Sequence, residues 1–237
     1  MRQQSLDIGK IKVKLQHGLS NRKETFVHSK IALDISVGQE YHEGEKFEAT
    51  IDLINHFKFA QCHIMIGDSL QRYNMCIDGF YDIEKAHIQA NKLGDEWLER
   101  NFQFYSRLQM PYEIIRWDTW LNHPDYKKHR EAVNYLYDHD EDYRQAFARS
   151  IDKFLTRYQK HAQELGRKQI DYEKAFKLCL EYLQEECAIM MPLWASYAYD
   201  FIVYPSKMPD AVLATHDKFV KPINPNLLVR LSLAFKR

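Results

Sequence analysis

The chain has 237 residues with 33 Lys+Arg against 33 Asp+Glu, so its formal net charge is zero; that excludes a protein holding nucleic acid by overall charge alone and leaves only local basic surfaces. Apolar residues make up 45% and aromatics 14%, too many for a disordered chain, and the length can bury a genuine core without disulfide or metal staples. With only 8 Gly and 7 Pro, long helices and few tight turns are expected.

Ile11–Leu15 alternates apolar and basic residues like an edge strand. Lys30–Ser36 is a short, mostly apolar run that stops at a small polar residue; residues 37–44 read as a loop and 45–57 as a helix. Cys62–Ile66 is a second buried strand, halted at Gly67, Asp68 and Ser69. Apolar residues then recur at helical spacing from Ile83 to Leu108. Tyr112–Trp117 is a third strand, ending at Asp118, and 120–137 predicts a shorter helix entered around Pro124. A long helix over 141–165 is closed by Gly166, and Asp171 caps another that runs to about Met190, before Pro192. Phe201–Tyr204 reads as a returning strand, and residues 227–235 end the sheet. Short buried strands separated by helices predict an α/β fold, one domain over residues 1–237 with a parallel central sheet and helices around it. In such folds ligands sit at the carboxyl ends of the strands, so Ser36, Asp68, Ser69 and Asp118 are expected on one rim. The four cysteines, Cys62, Cys76, Cys179 and Cys187, form no CxxC pair and read as reduced core thiols of a cytoplasmic protein. No run approaches 18 apolar residues, so no membrane partner is expected.

Tyr172, Ala175, Cys179, Tyr182, Glu186 and Ile189 recur at spacings of 3 and 4, which puts Tyr182 and Glu186 on one otherwise apolar helix face. A carboxylate there needs a cation or a donor, because leaving it buried and unpaired is costly. A structural ion pair or a solvent-facing Glu competes with a second reading, that Glu186 and Tyr182 hold a cationic ligand group such as an α-ammonium. Glu181 and Glu185 read as surface residues. Ser36 and Ser69 both end strands, where serine commonly serves a turn or cap; neither lies in GxSxG. The chain has no GxxxxGK[ST], GxGxxG or HExxH, so nucleotide and zinc-hydrolase chemistry lack support, and the 11 His are scattered. Residues 138–142 resemble a calcium loop only in charge and read as a solvated helix start. Arg149, Lys153, Arg157 and Lys160 line one helix face, and residues 144–177 hold nine Lys/Arg against four Asp/Glu. Lys85, Lys92, Arg100 and Arg107 align more loosely, diluted by Glu96 and Glu99. Such stripes are commonly solvated faces; on a neutral protein a pair of them can also track RNA phosphates.

Together these pieces resemble the tRNA-dependent cyclodipeptide synthases, over roughly residues 28–235. That family has a Rossmann-like fold similar to the catalytic domain of class I tyrosyl- and tryptophanyl-tRNA synthetases. Its nucleophilic Ser ends the first strand in H-x-[LVI]-[LVI]-G-[LVI]-S, a later helix carries Y-[LVI]-x-x-E-[LVI]-P, and a further Tyr follows on a returning strand. The helix motif appears here as Tyr182-Leu183-Gln184-Glu185-Glu186-Cys187-Ala188, with Cys-Ala in place of the aliphatic-Pro end, and the late tyrosine as Tyr204-Pro205. With Gln39 three residues after Ser36, Tyr204-Pro205 is similar to the family branch that has Tyr-Pro late in the chain. Two segments compete for the serine motif. His63-Ile64-Met65-Ile66-Gly67-Asp68-Ser69 matches it apart from Asp68, whereas Lys30-Ile31-Ala32-Leu33-Asp34-Ile35-Ser36 departs at Lys30 and at Asp34. Ser36 is preferred over Ser69 because it lies on the first buried strand, with the expected helix and second strand after it.

The resemblance implies a monomeric aminoacyltransferase that takes two aminoacyl-tRNAs as partners and no DNA. It implies no cofactor, since an aminoacyl ester is already activated and needs neither ATP nor a metal. Ser36, Tyr182, Glu186 and Tyr204 would be the catalytic residues of a ping-pong acyl transfer through a seryl ester. Asp34, Gln39 and Ile202 would contact substrate, Asp34 making the first side-chain pocket polar, and the two basic stripes would contact tRNA. The competing readings are a synthetase-like module, for which HIGH- and KMSKS-type loops are missing, and a non-catalytic tRNA-binding protein.

Overall fold

The computed structural model describes residues 5–8, 11–15, 26–77, 79, 81–166 and 169–235. Seven strands form one sheet: β1 (Ser5–Ile8), β2 (Ile11–Leu15), β3 (Lys30–Ser36), β4 (Gln61–Gly67), β5 (Tyr112–Arg116), β6 (Phe201–Tyr204) and β7 (Val229–Phe235), in the order β1-β2-β7-β6-β3-β4-β5. The five strands from β7 to β5 run parallel, and β1 and β2 extend the sheet antiparallel at the β7 edge. The chain builds outward from β3 through β4 to β5, then returns to lay β6 on the other side of β3. The direction of winding therefore reverses between β3 and β6, where open parallel sheets leave a crevice for ligands.

Side chains of β3 alternate between two cores. Ile31, Leu33 and Ile35 pack with Phe47, Ile51 and Ile54 of α1 (Gly44–Phe57) and with Trp97 of α2 (Ile83–Tyr105). Ala32, with Met65 of β4 and Ile202 of β6, faces α4 (Glu141–Glu164) and α5 (Tyr172–Ala188) through Phe147, Ile151, Cys179 and Leu183. All four cysteines are free and buried. Asp82, Asp140 and Asp171 cap α2, α4 and α5 by accepting the backbone N–H of Lys85, Tyr143 and Lys174, so the acidic 138–142 run is a helix start.

Two helices differ from the sequence reading. The predicted helix over 120–137 is two: a short turn, Trp117–Leu121, that follows β5 directly, and α3 (Tyr126–His139) after a break around Pro124. The helix predicted to stop before Pro192 instead continues from α5 through a π turn, Ile189–Leu193, into Trp194–Ser196. Ile189, Met190, Met191, Leu193 and Trp194 are all buried, so ending the helix early would expose five large apolar side chains, each worth about 1.5–3 kcal/mol of burial. The wider π turn accommodates the missing Pro192 N–H. α6 (Asp210–Thr215), a short helix against α4, was not foreseen. No helix among the described residues is long and apolar enough to cross a membrane.

Glu185, read from sequence as a surface residue, is 2% exposed. It pairs with Arg72, accepts from the Tyr73 hydroxyl at 3.0 Å and from Trp117 Nε1 at 2.9 Å. This buried pair ties α5 to the segment after β4 and so fixes the helix that carries Glu186. Removing one partner leaves the other charge buried alone, which costs about 3–5 kcal/mol. Arg72→Ala should therefore lower the unfolding free energy by about that amount, and denaturant titration checks it; a loss under about 1 kcal/mol would show the pair to be dispensable.

Candidate active site

Ser36 is the last residue of β3, at the reversal point of the sheet, and is partly exposed. Just beyond it Gly38 takes φ +86°, a conformation side chains disfavour, and the chain turns back as a 3-10 turn, Glu40–His42. That turn brings His42 under the strand tip, where its Nδ1 accepts the Ser36 backbone N–H at 2.9 Å, while its carbonyl accepts from Trp97 Nε1 at 3.0 Å. Burial pushes the His42 imidazole down to about 3, so it is neutral. With Nδ1 occupied by the backbone, His42 is a strut for the strand tip and supplies no base to the serine hydroxyl.

The Ser36 hydroxyl has a different partner. Its Oγ lies 3.1 Å from the Tyr204 hydroxyl at the end of β6, and Tyr204 lies 2.8 Å from the Tyr41 hydroxyl on the 3-10 turn. Burial pushes the pKa of both tyrosines up, so both keep their protons. Three hydroxyls thus form one chain from the strand tip toward the loop. Tyr41 and His42 were missed in the sequence reading; only Gly38, which permits the reversal, marks them.

Across the crevice, α5 presents Tyr182 and Glu186 on one face, as their spacing of four requires. The Tyr182 hydroxyl donates to Glu186 Oε1 at 3.4 Å, while Glu186 Oε2 is buried with no partner. Burial, and then the neighbouring Asp34, push the Glu186 carboxyl up to about 8 from 4.5. Asp34, 8% exposed on the same face of β3 as Ser36, is pushed by burial from 3.8 to about 7. Both are electrostatically coupled to Tyr182, and Asp34 also to Tyr204. No Lys, Arg or His pairs with either carboxylate among the described residues. Two acids therefore line the crevice with no ion-pair partner among the described residues, while the buried guanidinium of Arg230, level with Ile202, acts on Tyr204; unpaired acids are matched to a cationic ligand group.

Ser69 lies one strand over, since Ser36 is level with Gly67. It is fully buried, and its hydroxyl donates to Asp118 Oδ1 at 2.5 Å, with His87 Nε2 at 3.0 Å from the other Asp118 oxygen. Ser36, Asp68, Ser69 and Asp118 do share the predicted rim. Asp68 holds Arg116 and sits hard against Gly94, where a Cβ would come within 2.5 Å of Asp68 Oδ2. Gln39 is exposed, and its backbone N–H donates to the Ser36 carbonyl at 3.2 Å. Ile202 is fully buried, level with Ala32 beneath the site.

The two basic stripes lie on α2 and α4. On α2, Lys85 pairs with Asp82, Lys92 with Glu96, Arg100 with Glu43 and Glu96, and Arg107 with Glu48 and Asp52. On α4, Arg149 and Lys153 both reach Asp210, whereas Arg157 and Lys160 make no ion pair among the described residues.

No protein-family model matches the chain, and no curated protein does. Solved structures do. A cyclodipeptide synthase from Fluoribacter dumoffii is 41% identical over 96% of this chain and 99% of its own, with a TM-score of 0.86. The cyclodipeptide synthase from Candidatus Glomeribacter gigasporarum, solved bound to Phe-tRNAPhe, is 19% identical over 88% of each chain, with a TM-score of 0.72. A tyrosyl-tRNA synthetase from Archaeoglobus fulgidus, solved with L-tyrosine, shares the fold alone: 10% identity, 92% of this chain, 60% of that one, TM-score 0.55. With two fifths of its residues shared along nearly all of its length, the chain belongs to the cyclodipeptide synthase family.

Proposed function

We propose that the protein condenses two aminoacyl groups, each delivered as an aminoacyl-tRNA, into a cyclic dipeptide by way of an ester on Ser36. The observation that carries this reading is the partly exposed Ser36 hydroxyl, bonded to Tyr204 at the sheet's reversal point, facing a crevice whose two carboxylates lack a cation. Ser36 Oγ attacks the carbonyl of the first aminoacyl ester; the bond to the ribose oxygen breaks, and the serine proton leaves with the tRNA hydroxyl. Tyr204 and Tyr41 orient the serine hydroxyl and supply protons to the oxygen that develops charge. Glu186 and Tyr182 hold the α-ammonium of the bound residue through charge-assisted hydrogen bonds. With its affinity for protons raised to near neutrality, Glu186 can then accept a proton from that ammonium. The freed amine attacks the second aminoacyl-tRNA, releasing a second tRNA and leaving a dipeptidyl ester. The terminal amine of that dipeptide attacks the seryl carbonyl, closes the six-membered ring and returns the proton to Ser36.

The test is incubation of the purified protein with tRNA charged with labelled amino acids, reading covalent label on the protein and diketopiperazine by mass spectrometry. Label on Ser36 together with cyclic product supports the reading; tRNA binding with neither would mark a non-catalytic tRNA-binding protein.

We assign the tRNA contact to the two basic stripes, with the α4 end, Arg157 and Lys160, as the part that makes no ion pair among the described residues. Every phosphate that the protein ceases to neutralise lowers the salt slope of binding by about one. Replacing Arg157 and Lys160 together with alanine should reduce the slope of log K against log salt by about 1–2, and filter binding over a salt series measures it. An unchanged slope would remove this end of α4 from the tRNA-binding surface.

A further inference from the structure

Arg230, on β7, is 7% exposed, and its Nε and Nη2 are buried with no hydrogen-bond partner. It makes no ion pair among the described residues. Burial lowers its pKa, yet an arginine keeps its proton inside proteins, so a positive charge sits here uncompensated. Such a charge is costly to bury, and what it faces decides what it does. Nε and Nη2 form one edge of the guanidinium, the edge that grips a carboxylate or phosphate with two parallel bonds. Both atoms are closed off from solvent, so substrate does not reach them, and only the charge acts on the crevice.

Level residues on neighbouring parallel strands point to one side of a sheet. Arg230 is level with Ile202, and Ile202 with Ala32, so Arg230 shares the face of Asp34, Ser36 and Tyr204. Tyr204 stands one strand over and two residues nearer the rim, about 8 Å away between backbones and within an arginine's reach. The two side chains interact electrostatically. The other surroundings of Tyr204 oppose negative charge on its oxygen: burial, Tyr41 and Asp34 all push its pKa up. Its hydroxyl is bonded to Ser36 and Tyr41, Tyr182 of α5 feels its charge, and His42, with its ring 5.6 Å away, is neutral. Of these groups Arg230 alone is cationic.

The inference deepens the seryl-ester reading and rests on it. As Ser36 Oγ bonds to the ester carbon and the bond to the ribose oxygen breaks, Tyr204 gives its proton to the departing oxygen and takes the proton of Ser36. The tyrosine is neutral before and after the step; while donation runs ahead of uptake, its oxygen carries negative charge. We propose that Arg230 is a positioning residue for this transfer: its buried charge stabilises the phenolic oxygen of Tyr204 while the proton passes from Ser36 to the ribose.

Arg230→Met keeps an apolar stem and removes the charge. Single-turnover acylation by charged tRNA should fall at least about tenfold, while tRNA binding in a filter assay stays within about twofold of wild type. Arg230→Lys restores a cation and should acylate within about threefold of wild type. Because an unpaired buried charge is removed, the denaturant midpoint of Arg230→Met should equal or exceed that of the wild type. A ring-fluorinated tyrosine at position 204, whose phenol is more acidic, should speed Arg230→Met more than it speeds the wild type, a gain that a packing defect would not give. Acylation of Arg230→Met at the wild-type rate, or a loss that fluorination does not repair, would overturn the inference and leave the seryl mechanism standing. A lower midpoint or failure of Arg230→Met to fold would assign Arg230 to the structure and overturn it as well. No covalent label on the wild type would overturn both the inference and the seryl mechanism.

Discussion

Ser36→Ala should abolish both the covalent aminoacyl label and the cyclic product, lowering turnover by at least about 10³-fold, with the fold intact. The hydroxyl stands at the strand tip, and the described side chains bonded around it do not replace it: Tyr204 and Tyr41 are held protonated by burial, and His42 is neutral with Nδ1 occupied. Its structural cost is small. Tyr204 keeps its bond to Tyr41 when Ser36 Oγ is removed, so one partly exposed hydrogen bond is lost, about 0.5–1.5 kcal/mol. Ser69→Ala provides the opposite pattern. It removes a buried bond to Asp118 and should cost about 1–3 kcal/mol of stability, yet leave acylation within a few-fold of wild type. Full activity in Ser36→Ala with loss of label in Ser69→Ala would move the acyl site to β4.

The part of this site that was legible in the sequence is local. A strand that ends on a serine, a helix with Tyr182 and Glu186 at a spacing of four, and a returning strand ending at Tyr204 are each visible in a window of a few residues. Period and strand order then place their ends together, because a parallel sheet gathers the carboxyl ends of its strands on one rim. Spacing set Glu186 apart from its neighbour Glu185, but it put Glu185 on the surface; what buries Glu185 is Arg72, 113 residues earlier, which no local window shows. The same holds for Ser69, whose motif is the better match and whose hydroxyl is taken by Asp118, 49 residues on. Pro192 misled for a related reason: a local helix breaker is overridden by the burial of five neighbouring apolar side chains. Tyr41 and His42 lie in a polar loop with no periodicity, and their positions follow from the Gly38 reversal and the Trp97 bond to the His42 carbonyl.

Glu186→Gln should weaken catalysis and strengthen the fold, and the two effects should separate with pH. The amide keeps the shape and the bond to Tyr182 but cannot carry the charge that grips an ammonium or accept its proton. Product formation should fall about 10²–10⁴-fold. Acylation of Ser36 needs the grip alone, so it should fall less, and aminoacyl-enzyme should accumulate in the variant; equal losses in both steps would remove the proton-accepting role. The stability effect has the opposite sign. In the folded protein the Glu186 carboxyl is raised from 4.5 to about 8 by burial and then by the charge of Asp34, so the folded chain binds its proton more tightly than the unfolded chain does. Stability from this group is complete below about pH 4 and is lost as pH rises through about 8, where ionisation must proceed beside Asp34, itself raised to about 7, and among the Tyr182, Tyr204 and Tyr41 hydroxyls. A glutamine carries no such penalty. Its unfolding free energy should match that of the wild type below about pH 4 and exceed it by about 2–4 kcal/mol above pH 8. Denaturant titrations of both proteins across that range measure the difference, and parallel curves would show that Glu186 ionises in the folded state as freely as it does in water. On the proposed mechanism the site is built at the expense of stability: the unpaired carboxyl is costly until the ammonium of the arriving aminoacyl group pairs with it.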